Sequence, residues 1–347
     1  MTGVAHGHGS APANARHRLS VAPMLDWTDR HCRYFLRLFS PRALLYTEMI
    51  VAQAILRSRR DLLQFDPAEQ PVALQLGGSD PGVLARAARI GAERGYCEIN
   101  LNVGCPSDRV QNGTFGACLM AQPALVADCV RAMLDVVSVP VTVKTRIGID
   151  RRDDYAFLHE FVEAVAGAGC RVLIVHARKA ILSGLSPREN REIPPLVYER
   201  AWAIKREFPD LTVVVNGGLR TVEQAVEQWR HVDGVMLGRE AYHNPFVLSA
   251  LHRAAWSDGF GAPGLTALVA QMQDYAEREL RGGTRLHAIT RHMLGLMAGC
   301  AGAKTWRRVL SEGARGPYAD PGLLDRALAA ARSQQAETEQ SRSCDLI

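Results

Sequence analysis

The sequence predicts a closed parallel (β/α)8 TIM barrel followed by a small C-terminal all-helical domain. Three observations predict it. Short, almost continuously apolar runs recur along the chain, each followed by turn residues and then an amphipathic stretch. The ends of these runs are polar. After about Ser249 the runs stop and helical spacing takes over.

The strand candidates, in order, are Leu19–Ala22, Ala43–Tyr46, Val72–Leu76, Cys97–Leu101, Val141–Lys144, Val172–His176, Thr212–Asn216 and Gly234–Leu237. Runs this short and apolar suit strands buried on both faces. The clearest helices between them are Pro81–Glu93, Pro123–Val136, Tyr155–Ala168 and Val222–Trp229. Ser79, Asp80 and Pro81 form a helix start: the proline lacks an N–H that the first turn would leave unpaired. Gly169 is a stop signal after Tyr155–Ala168. Alternation of strand and helix implies a parallel sheet, and this number of units fits a closed barrel better than a doubly wound sheet.

Beyond Ser249, Leu265, Leu268, Val269 and Met272 repeat with helical spacing, as do Leu286, Ile289, Met293 and Met297. Further helices are expected over Lys304–Ser311 and Pro321–Ser333, with a Gly/Pro loop over residues 259–264 near the domain's entry. The expected division is a disordered tail at 1–17, the barrel at 18–250, the helical domain at 251–335 and a polar tail at 336–347.

Composition bounds the function. The 347 residues are 47% hydrophobic and 22% charged, ordinary for a globular protein with a large core. No stretch approaches the ~18 unbroken apolar residues of a membrane span. Residues 1–10 lack the apolar core of a secretory signal, and a Gly/Ala/His tail is expected there. The eight Cys form no C-x-x-C pair, which argues against a zinc site and a disulfide framework and for the cytoplasm. No metal is expected. The net charge of +5 permits a polyanionic partner without demanding one.

The strand ends carry the chemistry, because barrels of this kind place their sites at the C-terminal ends of the strands. In order they read Pro23-Met24, Glu48, Gln75, Asn100 with Asn102, Lys144, His176, Asn216, and Gly238-Arg239. One polar end is unremarkable, whereas a ring of them facing one mouth is a site. Asn216-Gly217-Gly218 and Gly238-Arg239 bracket the usual phosphate position, where glycine lets backbone N–H groups approach and Arg239 adds a charge-assisted contact. Lys144 and His176 suit the polar edge of a flavin, where an ammonium stabilises negative charge, and Gln75 offers that edge both a donor and an acceptor. Taken singly, Lys144 would sooner pair with a carboxylate such as Glu48, and His176 would be a core hydrogen bonder. Their shared placement favours the site. No G-x-G-x-x-G follows a strand, so a nicotinamide donor has to reach the flavin from the open mouth.

The segment Glu98-Ile99-Asn100-Leu101-Asn102-Val103-Gly104-Cys105-Pro106-Ser107 is the most informative. It puts Cys105 in a loop, and the polar, Gly-punctuated residues 108–118 continue that loop in a way that suits a moving cover. A thiol is ordinarily protonated at neutral pH and can donate a proton. Reduction of the uracil 5,6 double bond needs such a proton beside a hydride from a flavin. The alternative is a buried structural cysteine, as expected for Cys32, Cys97, Cys118, Cys129, Cys170 and Cys300.

These strings resemble the tRNA-dihydrouridine synthases. A-P-M-L-D-W-T-D-R at Ala22–Arg30, E-I-N-L-N-V-G-C-P-S at Glu98–Ser107, V-K-T-R at Val143–Arg146, V-H-A-R-K-A at Val175–Ala180 and N-G-G at Asn216–Gly218 carry the resemblance. F-G-A-C-L-M at Phe115–Met120 and L-S-G-L-S-P at Leu182–Pro187 resemble the A subfamily. It extends from about Arg18 to Ser333. The resemblance implies an FMN enzyme that uses NADPH to make dihydrouridine in the tRNA D-loop, at position 20 and also 20a. It implies that Pro23, Met24 and Leu25 lie by the flavin ring, with Gln75, Lys144 and His176 at its polar edge and Asn216, Gly217, Gly218, Gly238 and Arg239 at the phosphate. It implies that Cys105 donates the proton and that Asn102 contacts the substrate nucleotide.

Extruding a base from folded tRNA costs a few kcal/mol, which backbone contacts offset. Lys304, Arg307 and Arg308 share one helix face by their spacing. The resemblance assigns tRNA contacts to two pairs, Arg188 with Arg191 and Lys304 with Arg307. Arg281, Arg285, Arg291 and His292 are expected to add only diffuse positive charge. Two other readings compete: an FMN barrel acting on a free pyrimidine, as dihydroorotate dehydrogenases do, and an RNA-binding protein built on an inactive barrel. The first leaves the basic helical domain without a purpose. The second is opposed by the intact set of Cys105, Lys144 and His176.

Overall fold

The computed structural model describes residues 16–107, 115–316 and 319–344, with side chains to residue 334. The expectations for the tail at residues 1–15 and for loop residues 108–114 lie outside the described residues.

Eight parallel strands close into a barrel in chain order. They are β1 (Leu19–Val21), β2 (Leu44–Val51), β3 (Val72–Gly77), β4 (Glu98–Val103), β5 (Val141–Arg146), β6 (Val172–His176), β7 (Thr212–Asn216) and β8 (Gly234–Leu237). Ordered pairing runs from β1 with β2 round to β8 with β1. Each strand candidate is present. Several extend further than the apolar runs, so Glu48 and Asn102 lie within β2 and β4 rather than after them. β2 carries a register shift between Tyr46 and Met49, next to Glu48.

The period of two explains the two faces of each strand. Ile99, Leu101 and Val103 of β4 join the outer core shared with the helices. Inside the barrel, Ala22, Leu44, Tyr46, Ala73, Val172, Ile174, Val214 and Met236 form a separate apolar cluster. Beside that cluster, Glu98, Asn100 and Asn102 of β4 and Gln75 and Thr142 of the neighbouring strands are buried and joined by hydrogen bonds.

The helices are α1 (Arg30–Arg37), α2 (Ala52–Arg57), α3 (Pro81–Glu93), α4 (Pro123–Leu134), α5 (Tyr155–Gly167), α6 (Tyr198–Glu207), α7 (Val222–Gln228), α8 (Arg239–His243) and α9 (Phe246–Trp256). Asp80 caps α3 by accepting from the Val83 N–H, and Asp29 caps α1 from both His31 and Cys32. Gly169 has φ +103°, and a Cβ there would meet Leu134 at 2.9 Å, so the stop after α5 requires glycine.

The C-terminal part contains α10 (Leu265–Arg281), α11 (Leu286–Thr290), α12 (Ala303–Gly313) and α13 (Leu323–Cys344). α9 runs through the expected boundary at residue 250, and α13 continues past residue 335. The helical spacing over Leu286–Met297 gives only the short α11, after which the chain continues in tight turns. Met293 and Met297 are still buried. In those turns Gly295 brings the backbone itself onto α8: a Cβ there would lie 2.4 Å from the His243 carbonyl oxygen. Among the described residues no helix is long and apolar enough to cross a membrane.

Candidate active site

The strand register brings the polar ends together at the barrel mouth. Asn102 stands beside Lys144, and His176 stands between Arg146 and Asn216. Lys144 Nζ donates to Asn216 Oδ1 at 3.1 Å, and Asn216 Nδ2 donates to the Met236 carbonyl at 2.8 Å. Lys144 has no carboxylate partner among the described residues. Glu48 instead accepts from the Asp26 N–H at 2.5 Å. Burial, with Arg146 nearby, lowers the Lys144 pKa to about 7. Burial also pushes His176 well below the usual histidine range, with Arg146 and Lys144 adding to it, so its imidazole is neutral.

Cys105 is half-buried just beyond β4. Its N–H donates to Asn102 Oδ1 at 3.0 Å, its carbonyl accepts from Ala117 at 2.9 Å, and its Sγ lies 3.6 Å from Ser107 Oγ. The loop is held from below by Arg146, whose Nε donates to the Gly104 carbonyl at 2.9 Å. Arg146 is 3% exposed and also donates to the carbonyls of Lys179 and Asn190, joining the cysteine loop to the loop that carries Arg188 and Arg191.

Pro23, Met24 and Leu25 follow β1 on the opposite side of the mouth from β5. Met24 is half-buried against the inner apolar cluster, and Leu25 is 72% exposed. Gly217 and Gly218 have φ +117° and +70°. A Cβ on Gly217 would lie 2.7 Å from the His176 ring, and one on Gly218 2.4 Å from Leu196, so this corner admits only glycine. Gly238 precedes α8, and Arg239 pairs with Glu192. Arg178 is a residue sequence reasoning missed, although it stands in the quoted V-H-A-R-K-A string. It donates to the Pro194 carbonyl, and its Nε is buried without a hydrogen-bond partner among the described residues. The corner therefore holds two guanidinium groups, one with an unspent buried N–H, beside two closely packed glycines.

The basic side chains lie where exposure allows contact with a polyanion. Arg188, Arg191, Lys304, Arg307 and Arg308 are exposed, whereas Trp306 and Leu310 on the other face of α12 are fully buried.

Two expectations are corrected. Arg291 and His292 do not supply diffuse charge: Arg291 donates to Asp29 Oδ2 at 2.6 Å and to the Asp26 carbonyl at 2.7 Å, and His292, 1% exposed, bonds to Asp29. They tether the helical part to the loop after β1. Their partner is far away in sequence, which hid the role. Arg291→Ala should therefore destabilise the fold by about 1–2 kcal/mol in urea unfolding, since it strips a charged partner from a mostly buried carboxylate. The second correction concerns cysteine: Cys32, Cys129 and Cys170 are buried, but Cys97 and Cys118 are only partly so and Cys300 is exposed. Cys300 sits in the turns around Gly299 and Gly302, whose positive φ values bring the backbone out of helix.

Comparison with known proteins bears on this arrangement. The family model described as dihydrouridine synthase (Dus) matches residues 20–333. The chain belongs to the dihydrouridine synthase family. Among curated relatives, the tRNA-dihydrouridine(20/20a) synthase of Salmonella typhi is 59% identical over 313 residues, 90% of this chain and 94% of that protein. The protein of the same name from Escherichia coli K12 is 59% identical over 312 residues, 90% of each chain. That of Pasteurella multocida is 57% identical, covering 90% of this chain and 96% of its own. Among solved structures, a 2-naphthoyl-CoA reductase in complex with 2-naphthoyl-CoA superposes with TM-score 0.53 at 9% identity, over 68% of this chain and half (50%) of that one. That likeness shows the fold alone.

Proposed function

We propose that this protein reduces uridine to 5,6-dihydrouridine in the D-loop of tRNA, at positions 20 and 20a, in the cytoplasm. When bound at this mouth, FMN would supply the hydride chemistry for uracil C6, with NADPH as its reductant. The chain's own residues supply the rest. Cys105 holds a proton at Sγ and delivers it to C5. Asn102 orients the base. Lys144, a buried ammonium without a carboxylate, faces the mouth as a donor for the flavin's pyrimidine edge, with Gln75 and His176 beside it. Pro23, Met24 and Leu25 border the ring. Asn216, Gly217, Gly218, Gly238 and Arg239 hold the phosphate, and Arg178 with its unpaired Nε joins them. Residues 18–250 form the FMN-binding unit and 251–335 the tRNA-binding unit; Lys304 with Arg307 from the second, and Arg188 with Arg191 from a barrel loop, hold the tRNA backbone.

The observation that carries the reading is the donor set: a lysine with no carboxylate partner among the described residues, its Nζ given only to Asn216, an unpaired buried guanidinium N–H and a glycine corner arranged around one mouth, with a cysteine loop fixed at its edge. The deciding experiment incubates the purified protein with FMN, NADPH and unmodified tRNA and maps the product by mass spectrometry. Two added hydrogens at positions 20 and 20a are expected, with no turnover of free uracil or dihydroorotate. Reduction of the free pyrimidine with untouched tRNA would overturn the reading.

Lys144 gives FMN binding a pH dependence. A ligand that accepts a hydrogen bond from the ammonium favours its protonated form, so binding takes up a proton above the free value of about 7. FMN affinity should fall severalfold as pH rises from 7 to 8.5, and Lys144→Met should bind more weakly but without that slope. In the free protein the sign is opposite. The unfolded chain keeps this proton to higher pH than the folded one, so Lys144's contribution to stability increases as pH rises above about 7. Fluorescence titration of FMN at several pH values checks the first statement, and comparing Tm of the two proteins checks the second.

A further inference from the structure

A chain of buried hydrogen bonds runs the length of the barrel interior. It begins at the first residue of β4, where Glu98 is fully buried and accepts from His17 at 2.6 Å, Tyr46 at 2.6 Å and Thr142 at 2.6 Å. Burial alone would raise this carboxyl, but His17 and the two hydroxyls outweigh it and hold it below the usual value. Glu98 is therefore ionised and can only accept.

That fixes the direction of every following bond. Thr142 spends its single hydrogen on Glu98, so its oxygen accepts from Asn100 Nδ2 at 2.8 Å. Asn100 then presents Oδ1, which accepts from Gln75 Nε2 at 2.7 Å. Gln75 presents Oε1, which accepts from Asn102 Nδ2 at 2.9 Å. Asn102 Oδ1 is left to accept the N–H groups of Gly104 at 3.2 Å and Cys105 at 3.0 Å. The backbone end can only donate and the carboxylate end can only accept, so one orientation of the three amides satisfies the whole series. The oxygen of Asn102 is fully used, and what it has left for a ligand is an N–H, which suits a carbonyl oxygen and not an amino group.

We infer that Thr142 and Asn100, anchored on Glu98, are positioning residues: through Gln75 and Asn102 they hold the Cys105 loop and aim the Asn102 amide. Their use in turnover rests on the proposed function, whereas the relay itself does not. Neither residue touches the reacting atoms by this account.

Thr142→Val keeps the shape and removes the hydroxyl, and Thr142→Ser restores it. Two readouts are needed. Amide hydrogen exchange at Gly104 and Cys105 in the flavin-free protein should quicken on the order of tenfold in Thr142→Val and return in Thr142→Ser. In the FMN-loaded enzyme, kcat for tRNA should fall about tenfold with KM nearly unchanged, and the serine variant should recover most of it. Thr142→Ala is the second cut should valine prevent folding, since it can only remove atoms. Unchanged exchange, unchanged kcat, or failure of serine to restore both would overturn the relay. A wild-type protein that binds FMN and makes no dihydrouridine would overturn the proposed function instead, and the exchange comparison would still decide the relay.

Discussion

Cys105→Ala is expected to lower dihydrouridine formation by about 10²–10⁴-fold, the usual worth of a positioned general acid. FMN content, tRNA affinity and the rate at which NADPH reduces the bound flavin should stay near wild type. The separation follows from geometry. Cys105 is held mainly through its backbone N–H and C=O, by Asn102 and Ala117, while its thiol meets Ser107 Oγ at 3.6 Å, two residues on in the same loop. Removing Sγ leaves the loop anchored and the donor set around Lys144 intact. Rapid-mixing measurement of the two half-reactions checks this: reduction by NADPH should be unaffected, and reoxidation by tRNA should stall. A variant with normal tRNA turnover would remove the proton-donor role, and one that loses its flavin would show that the thiol supports the fold. Cys118→Ala is the control. It lies in the turn after the loop, its Sγ meets the Phe115 carbonyl, and it should leave kcat within about twofold.

Much of this site was legible in the sequence because the barrel translates strand ends into one place. The eight runs mark eight strands, so Gln75, Lys144, His176 and Asn216 had to converge. The less legible parts share one physical cause, partners without a sequence signature. The sequence marks Asn100 and Asn102 as strand-end residues, but Cys97–Leu101 reads as an apolar run, which hides the polar column of Glu98, Asn100 and Asn102. Its partners Tyr46, Gln75 and Thr142 come from other strands, and only the closed barrel shows that each buried polar group is satisfied. Arg146 and Arg178 act largely on backbone carbonyls, which any residue provides. Arg291 looked like surface charge because its partner Asp29 is 262 residues away. The spacing of Leu286, Ile289, Met293 and Met297 was real, but bonds three residues apart in tight turns bury the same side chains, as Met293 N–H to Thr290 and Cys300 N–H to Met297 show.

Lys304→Glu combined with Arg307→Glu should weaken tRNA binding on the order of a hundredfold at physiological salt. The two side chains are exposed on α12, one turn apart, while Trp306 and Leu310 anchor the helix from its other face. Reversing their charge should therefore leave the fold within about 0.5 kcal/mol of wild type. Salt dependence separates this effect from a loss of base recognition. Each phosphate contact removed should lower the slope of log affinity against log salt by about 1, so the double variant should lose about 2. FMN reduction by NADPH should not change, since the reversal alters none of the mouth's donors. Reversing Arg188 and Arg191 is the more ambiguous experiment. Arg188 lies near Glu192, which also pairs with Arg239 at the corner proposed to hold the phosphate, so new acids there would act on that proposed cofactor site as well as on tRNA. The α12 pair avoids that coupling. An unchanged affinity and slope would mean that the exposed face of α12 is merely solvated, and the tRNA would have to be held by the loop of Arg188 and Arg191 alone. Lost affinity with an unchanged slope would mean that α12 acts through its packing and not through phosphate contacts.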